Sequence, residues 1–131
     1  MDLLQLESIV TTQLKIRVPR LTNNAYPNMS FTTELDDKTP SFPNVYVHEL
    51  EPTEIGNDLE NTHINALRDT FQIEVSTNAS KSDSLKVATA CINAMKSLRY
   101  SLVSGPTYNK VNNLHRYIIR MRRVIANGDT F

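Results

Sequence analysis

The chain has a single cysteine, three glycines and no tryptophan among its 131 residues. Cys91 has no second cysteine to bridge to, which agrees with a reducing compartment and excludes the usual cysteine-rich zinc site. Gly56, Gly105 and Gly128 are too scattered to build a phosphate-cradling loop or a dinucleotide fingerprint. No run approaches the roughly 20 consecutive apolar residues of a membrane span. The opening stretch MDLLQLESIVTTQLKIRV mixes charges with apolar residues, unlike a secretory signal, so the expected site of synthesis and residence is the cytoplasm.

What is present is the composition of an ordinary globular domain, 40% apolar and 21% charged, with length enough for one core spanning 1–131. Fourteen basic and fourteen acidic residues balance overall but not locally. Residues 34–60 hold eight acids (Glu34, Asp36, Asp37, Glu49, Glu51, Glu54, Asp58 and Glu60) against Lys38 alone. Residues 81–123 hold nine bases against Asp83 alone. Opposite charge in two halves lets one half meet the other half of a neighbouring copy, or simply gives two solvated surfaces of different sign.

Leu3, Leu6, Ile9, Val10 and Leu14 recur at helical spacing, with Asp2 as a cap, and predict a helix over 2–18 stopped by Pro19. Residues 20–43 read as a loop around a short edge strand at 29–33. Residues 44–50 alternate Val45, Val47 and Glu49 against Tyr46, His48 and Leu50. Residues 67–77 set Phe71, Ile73 and Val75 against Thr70, Gln72 and Glu74, the pattern of a strand with one wet face. A second helix over 81–98 starts at Ser80 and Asp83 and buries Leu85, Ala88, Ile92, Met95 and Leu98, with Cys91 beside them. A short strand at 99–103 would end in a Ser104-Gly105-Pro106 turn. A last strand, 115–126, alternates Tyr117, Ile119, Met121 and Ile125 with Arg116, Arg120 and Arg122, and ends at an Asn127-Gly128-Asp129 turn. The expected fold is α+β: a mainly antiparallel sheet with both helices packed on one face.

Chemistry is hard to assemble from these residues. His48, His63 and His115 lie far apart with no metal-ligand spacing, and Cys91 falls on an apolar helix face where cysteines are usually inert. Carboxylates grouped over 49–60 have no catalytic role by spacing alone. The expectation is therefore no enzyme activity, no metal and no cofactor. Two surface features stand out instead. Arg116, Arg120 and Arg122 share one face of the last strand and suit phosphates, a neighbour's carboxylates, or Glu74 of the same subunit. Arg123 points the other way and is expected at the sheet's edge or paired with an acid. The loop 51–65 is long for a hairpin and carries Ile55, Asp58, Leu59, Glu60, His63 and Ile64, an apolar-and-charged set suited to a partner-binding arm or a packed surface loop.

The run FPNVYVHELEPTEIGNDLENTHINA, the strand TFQIEVSTN, the helix ending Met95-Lys96-Ser97-Leu98-Arg99 and the closing RYIIRMRRVI resemble tail terminator, or tail completion, proteins of siphophages. The order of elements matches over about 1–128 and is sharpest from Phe42 to Val75. The resemblance implies a virion structural protein, assembled in the bacterial host cytoplasm, that forms a ring, usually a hexamer. The ring would cap the head-proximal end of the tail tube, halt its growth and offer a head-joining surface, with DNA passing through its lumen. Its implied partners are copies of itself, the tail tube protein and the head–tail connector protein, with no cofactor and no small-molecule substrate. In that setting the 51–65 set is the candidate subunit or tube interface, and Arg116, Arg120 and Arg122 are candidates for the lumen lining or for charge pairing. Two alternatives remain open: another head–tail joining or adaptor protein of the virion, and a small nucleic-acid-binding module using the arginine strand.

Overall fold

A computed structural model describes residues 3–33, 40–57 and 64–126. The elements run α1 (Leu3–Leu21), β1 (Ser30–Thr32), β2 (Asn44–Glu49), β3 (Thr53–Asn57), β4 (Ile64–Thr77), α2 (Lys81–Ser97), β5 (Ser101–Val111) and β6 (Leu114–Ala126). The α+β expectation holds. The strands form one sheet in the order β1-β2-β4-β6-β5, with β3 also on β4, and only the β1–β2 pair is parallel.

The 14-residue β4 organises the sheet. β6 pairs with it from Ala66↔Ala126 to Thr77↔His115. Its other edge is shared by β3 along the first part and β2 along the second, where Val45 faces Val75 and Val47 faces Ile73. Alternation then sorts the side chains. Val45, Val47, Phe71, Ile73, Val75, Tyr117, Ile119 and Met121 are buried on one face. Both helices cover that face, α1 resting on α2 and β2, and α2 on β4, β5 and β6. Val10, Leu14 and Val18 of α1 and Val87, Ala88, Cys91 and Met95 of α2 complete the core.

Four details differ from the sequence reading. Pro19 does not stop α1, which runs one more turn to Leu21. A proline this close to a helix end removes one hydrogen bond and no more of the ladder. Val18 is fully buried in the core, and the Thr22 hydroxyl donates to the carbonyls of Val18 and Pro19 at 3.3 and 3.0 Å. The helix ends instead at Asn23 and Asn24, both at positive φ, with Asn24 N–H donating to Pro19 O at 2.8 Å. The expected cap, Asp2, lies outside the described residues.

The supposed loop 51–65 contains strand β3, paired antiparallel with β4 through Glu54↔Leu67 and Ile55↔Ala66. Pro52 and Gly56 hide this short strand, because both types are depleted in strands. Ser104-Gly105-Pro106 is likewise no turn. It lies inside β5, where the register against β6 slips between Leu102 and Thr107. Gly105 sits at φ +92°, and a Cβ there would stand 2.3 Å from Ile118 O, so the bulge requires glycine. The chain reverses at Asn112-Asn113, at φ 49° and 64°, the two-residue turn that suits a twisted hairpin.

Leu85 is the fourth difference. It is exposed at the start of α2, where Ser84 and Val87 are buried instead, while Ala88, Ile92, Met95 and Leu98 are buried as expected. Leu85 lines a groove of about 650 Å³ with Leu21 and Tyr26. The start of α2 is as expected: Ser80 Oγ accepts from Asp83 N–H at 3.1 Å and donates to Asp83 Oδ2 at 2.9 Å. Tyr26 adds a hydrogen bond from its hydroxyl to Asp83 Oδ1 at 2.8 Å, tying the α1–β1 segment to that cap. Those two hydroxyls, Tyr26 first, hold the Asp83 carboxyl below its ordinary value. Burial, and then Asp83, push the Tyr26 phenol up to about 12.

Candidate functional site

The face of the sheet away from the helices is the surface on which the predicted arginines meet. Arg116, Arg120 and Arg122 share it along β6, and β4 supplies their nearest partners. Arg116 Nη1 lies 3.2 Å from Glu74 Oε1, an ion pair with both side chains partly exposed. Arg120 Nε donates to Gln72 Oε1 at 3.0 Å and Arg122 Nε to Thr70 Oγ1 at 3.5 Å. Arg120↔Gln72 and Arg122↔Thr70 are direct cross-strand pairs, whereas Arg116 faces Ser76 and leans diagonally to Glu74.

The three arginines are therefore unequal. Arg116 is neutralised within the subunit, at the modest strength of a partly exposed pair. Arg120 and Arg122 are exposed and hydrogen-bonded to neutral groups, so their charge is available to anions. On β2, Tyr46 and His48 share this face, opposite Glu74 and Gln72. Their rings stack at 6.3 Å and 27°. Alternation within 44–50 separates them from Val45 and Val47, but only the β2–β4–β6 register puts His48 in line with Arg120, across Gln72 of β4.

The opposite face decides between the two expectations for Arg123, the sheet's edge or an acid partner. β6 is flanked by β4 and β5, so Arg123 is not at an edge. It is 5% exposed, faces Asp69 in register, and donates from Nη1 to Leu98 O at 3.1 Å. Asp69 is fully buried and accepts from the Tyr100 hydroxyl at 2.5 Å on Oδ2. Burial, followed by that hydrogen bond, raises the Tyr100 phenol and keeps it neutral. The sequence reading missed Asp69 and Tyr100. The signal was available: Asp69 continues the Phe71–Ile73–Val75 parity on the apolar side. Glu49 likewise continues Val45 and Val47, so this acid does not belong to the surface patch expected over 34–60.

Among the interface candidates, Ile55 falls in β3 and Ile64 begins β4, paired with Asn57. Asp58, Leu59, Glu60 and His63 lie outside the described residues. His48 and His115 are on separate strands, and His115 Nδ1 is hydrogen-bonded to the Tyr108 hydroxyl at 2.8 Å. Among the described residues no group of three or more His, Cys, Asp or Glu side chains is placed to hold a metal. Cys91 is wholly buried, and burial pushes its thiol up to about 12, away from the nucleophilic thiolate. No helix is long and apolar enough to cross a membrane among the described residues.

No protein-family model matches the chain, and no curated protein is similar to it at a significant level.

Proposed function

We propose that this chain is a structural subunit that works by docking and self-association, through the sheet face its helices leave uncovered. The observation that carries this reading is the contrast between the two faces. One is sealed by α1 and α2 and is mostly apolar; the other is mostly polar and carries the exposed Arg120 and Arg122. A closed ring needs one patch of a subunit to meet a different patch of the next. A rigid sheet with distinct faces and edges supplies such unlike patches.

Within that class, the resemblance over Phe42 to Val75 favours a tail terminator of a long-tailed phage. Its ring would cap the tail tube, with the 55–64 segment against a neighbouring subunit or the tube. Arg120 and Arg122 would then line the lumen. A few exposed arginines spread over this face, Arg68 of β4 among them, suit passage of DNA better than a dense basic patch would, since each neutralised phosphate strengthens binding. The test is a pull-down with tail tube protein and, separately, connector protein. Retention by the tube supports capping, and retention by the connector alone moves the assignment to a head–tail adaptor. Leu59→Asp should abolish tube retention while the subunit keeps its melting temperature.

Tyr46 and His48, on the same face as Arg120 and Arg122 but across β4 from them, favour a second reading, a nucleic-acid surface combining ring stacking with phosphate contacts. It requires salt-sensitive binding to DNA or RNA that weakens in Arg120→Ala/Arg122→Ala. A gel shift showing no binding near physiological salt removes it.

A further inference from the structure

The apolar face of the sheet ends in a polar cluster. By the period of two, β2 continues from Val45 and Val47 to Glu49, β4 from Ile73 and Phe71 to Asp69, and β6 from Ile119 and Met121 to Arg123. Tyr100 reaches the same place from the segment after α2 and donates to Asp69 Oδ2. Glu7 of α1 is the other acid that acts on Glu49 there.

Two buried carboxyl oxygens in this cluster have no donor: Asp69 Oδ1 and Glu49 Oε2. A buried polar atom without a partner is costly, and here two occur together. The Glu49 carboxyl is within hydrogen-bonding reach of Asp69. The backbone holds them there, because Leu50 N–H donates to Thr70 O at 2.8 Å and Glu49 faces Phe71, two residues from Asp69. Two carboxylates cannot satisfy one another, since both only accept. A single proton turns one of them into a donor to the other.

We propose that Glu49 is a neutral carboxylic acid in the folded protein and donates its proton to Asp69, the pair acting as a pH-sensitive latch between β2 and β4. The proton belongs on Glu49 for electrostatic reasons. Asp69 faces Arg123 across the sheet and already serves as acceptor to the Tyr100 hydroxyl. Glu49 is half-buried and meets two acids, Asp69 and Glu7, which favour its neutral form. Burial first, then the Asp69 hydrogen bond and charge, then Glu7, push its carboxyl from the ordinary 4.5 to about 9.

The direction of the pH effect follows. Between those two values the folded state holds a proton that the unfolded chain has released, so stability falls as pH rises. The latch contributes fully below about 4.5 and is lost as pH rises through about 9. Alkali therefore loosens this end of the sheet by placing two carboxylates side by side. The latch is independent of the ring-capping reading.

The test follows the glutamate side-chain carboxyl carbons of the folded parent by NMR across a pH titration, alongside Glu49→Gln. One glutamate is expected to titrate well above neutrality, and its resonance disappears in E49Q. The amide of E49Q keeps a donor towards Asp69, so the fall in Tm of the parent from mildly acidic to alkaline pH should flatten in the variant. Ordinary titration of every glutamate in the folded parent would overturn the proposal, and that result needs no variant to fold. An unchanged alkaline fall of Tm in E49Q would overturn it equally.

Discussion

Arg122 and Arg123 are neighbours in sequence and lie on opposite sides of the same sheet. Arg122 is exposed on the open face and hydrogen-bonded to Thr70. Arg123 is buried beneath the helices, facing Asp69 and bonded to Leu98 O. The same side chain thus serves the surface at one position and the interior at the next. What separates them is one step of strand alternation, together with the helices that cover one face only. Charge on this strand says little about binding until the face is known.

The largest effect should come from the buried member. Arg123→Ala leaves Asp69 without its opposing cation and should cost about 3–5 kcal/mol, the usual result of breaking a buried charge pair from one side. Urea denaturation checks this, and a melting profile like that of Arg122→Ala would break the comparison. Truncating the apolar part of the covered face should cost nearly as much: about 2–5 kcal/mol for Ile73→Ala, the range for large-to-small core changes. At the edge of that face, Ser80→Ala removes the cap of α2 and should cost about 1 kcal/mol, seen as a lower urea midpoint. On the open face, Arg116→Ala should lose at most about 1 kcal/mol, and the loss should shrink at high salt, because its pair with Glu74 is partly exposed. Arg120→Ala/Arg122→Ala should leave Tm unchanged and alter only contacts with anions.

Much of this division could be read from the chain. The runs 67–77 and 115–126 alternate cleanly enough to assign Phe71, Ile73, Tyr117 and Met121 to the core, and the structure agrees. Where reading failed, a non-local contact outweighed a local preference. Pro19 argues for a helix stop, but burial of Val18 and the hydroxyl of Thr22 carry α1 a turn further. Gly105 and Pro106 argue for a turn, yet pairing with β6 keeps them inside a bulged strand. β3 is too short and too interrupted to show a period, and it exists because β4 is longer than β2 and offers an edge to pair with. For the open face, the arginine stripe was legible in sequence, whereas its partners Gln72 and Thr70 depend on a register no periodicity supplies. The buried cluster was half legible: parity places Glu49, Asp69 and Arg123 on the inner side, but Tyr100 arrives from outside any strand.

If the chain is the ring-forming cap we propose, the uncovered face and the edges of its sheet do their work by assembling copies of it on a tail tube. Electron microscopy of growing tubes, with and without the protein, tests this most directly. Capping predicts tubes that stop lengthening and carry a ring of subunits at one end. Bare tubes that continue to grow at a saturating concentration of folded protein would contradict it.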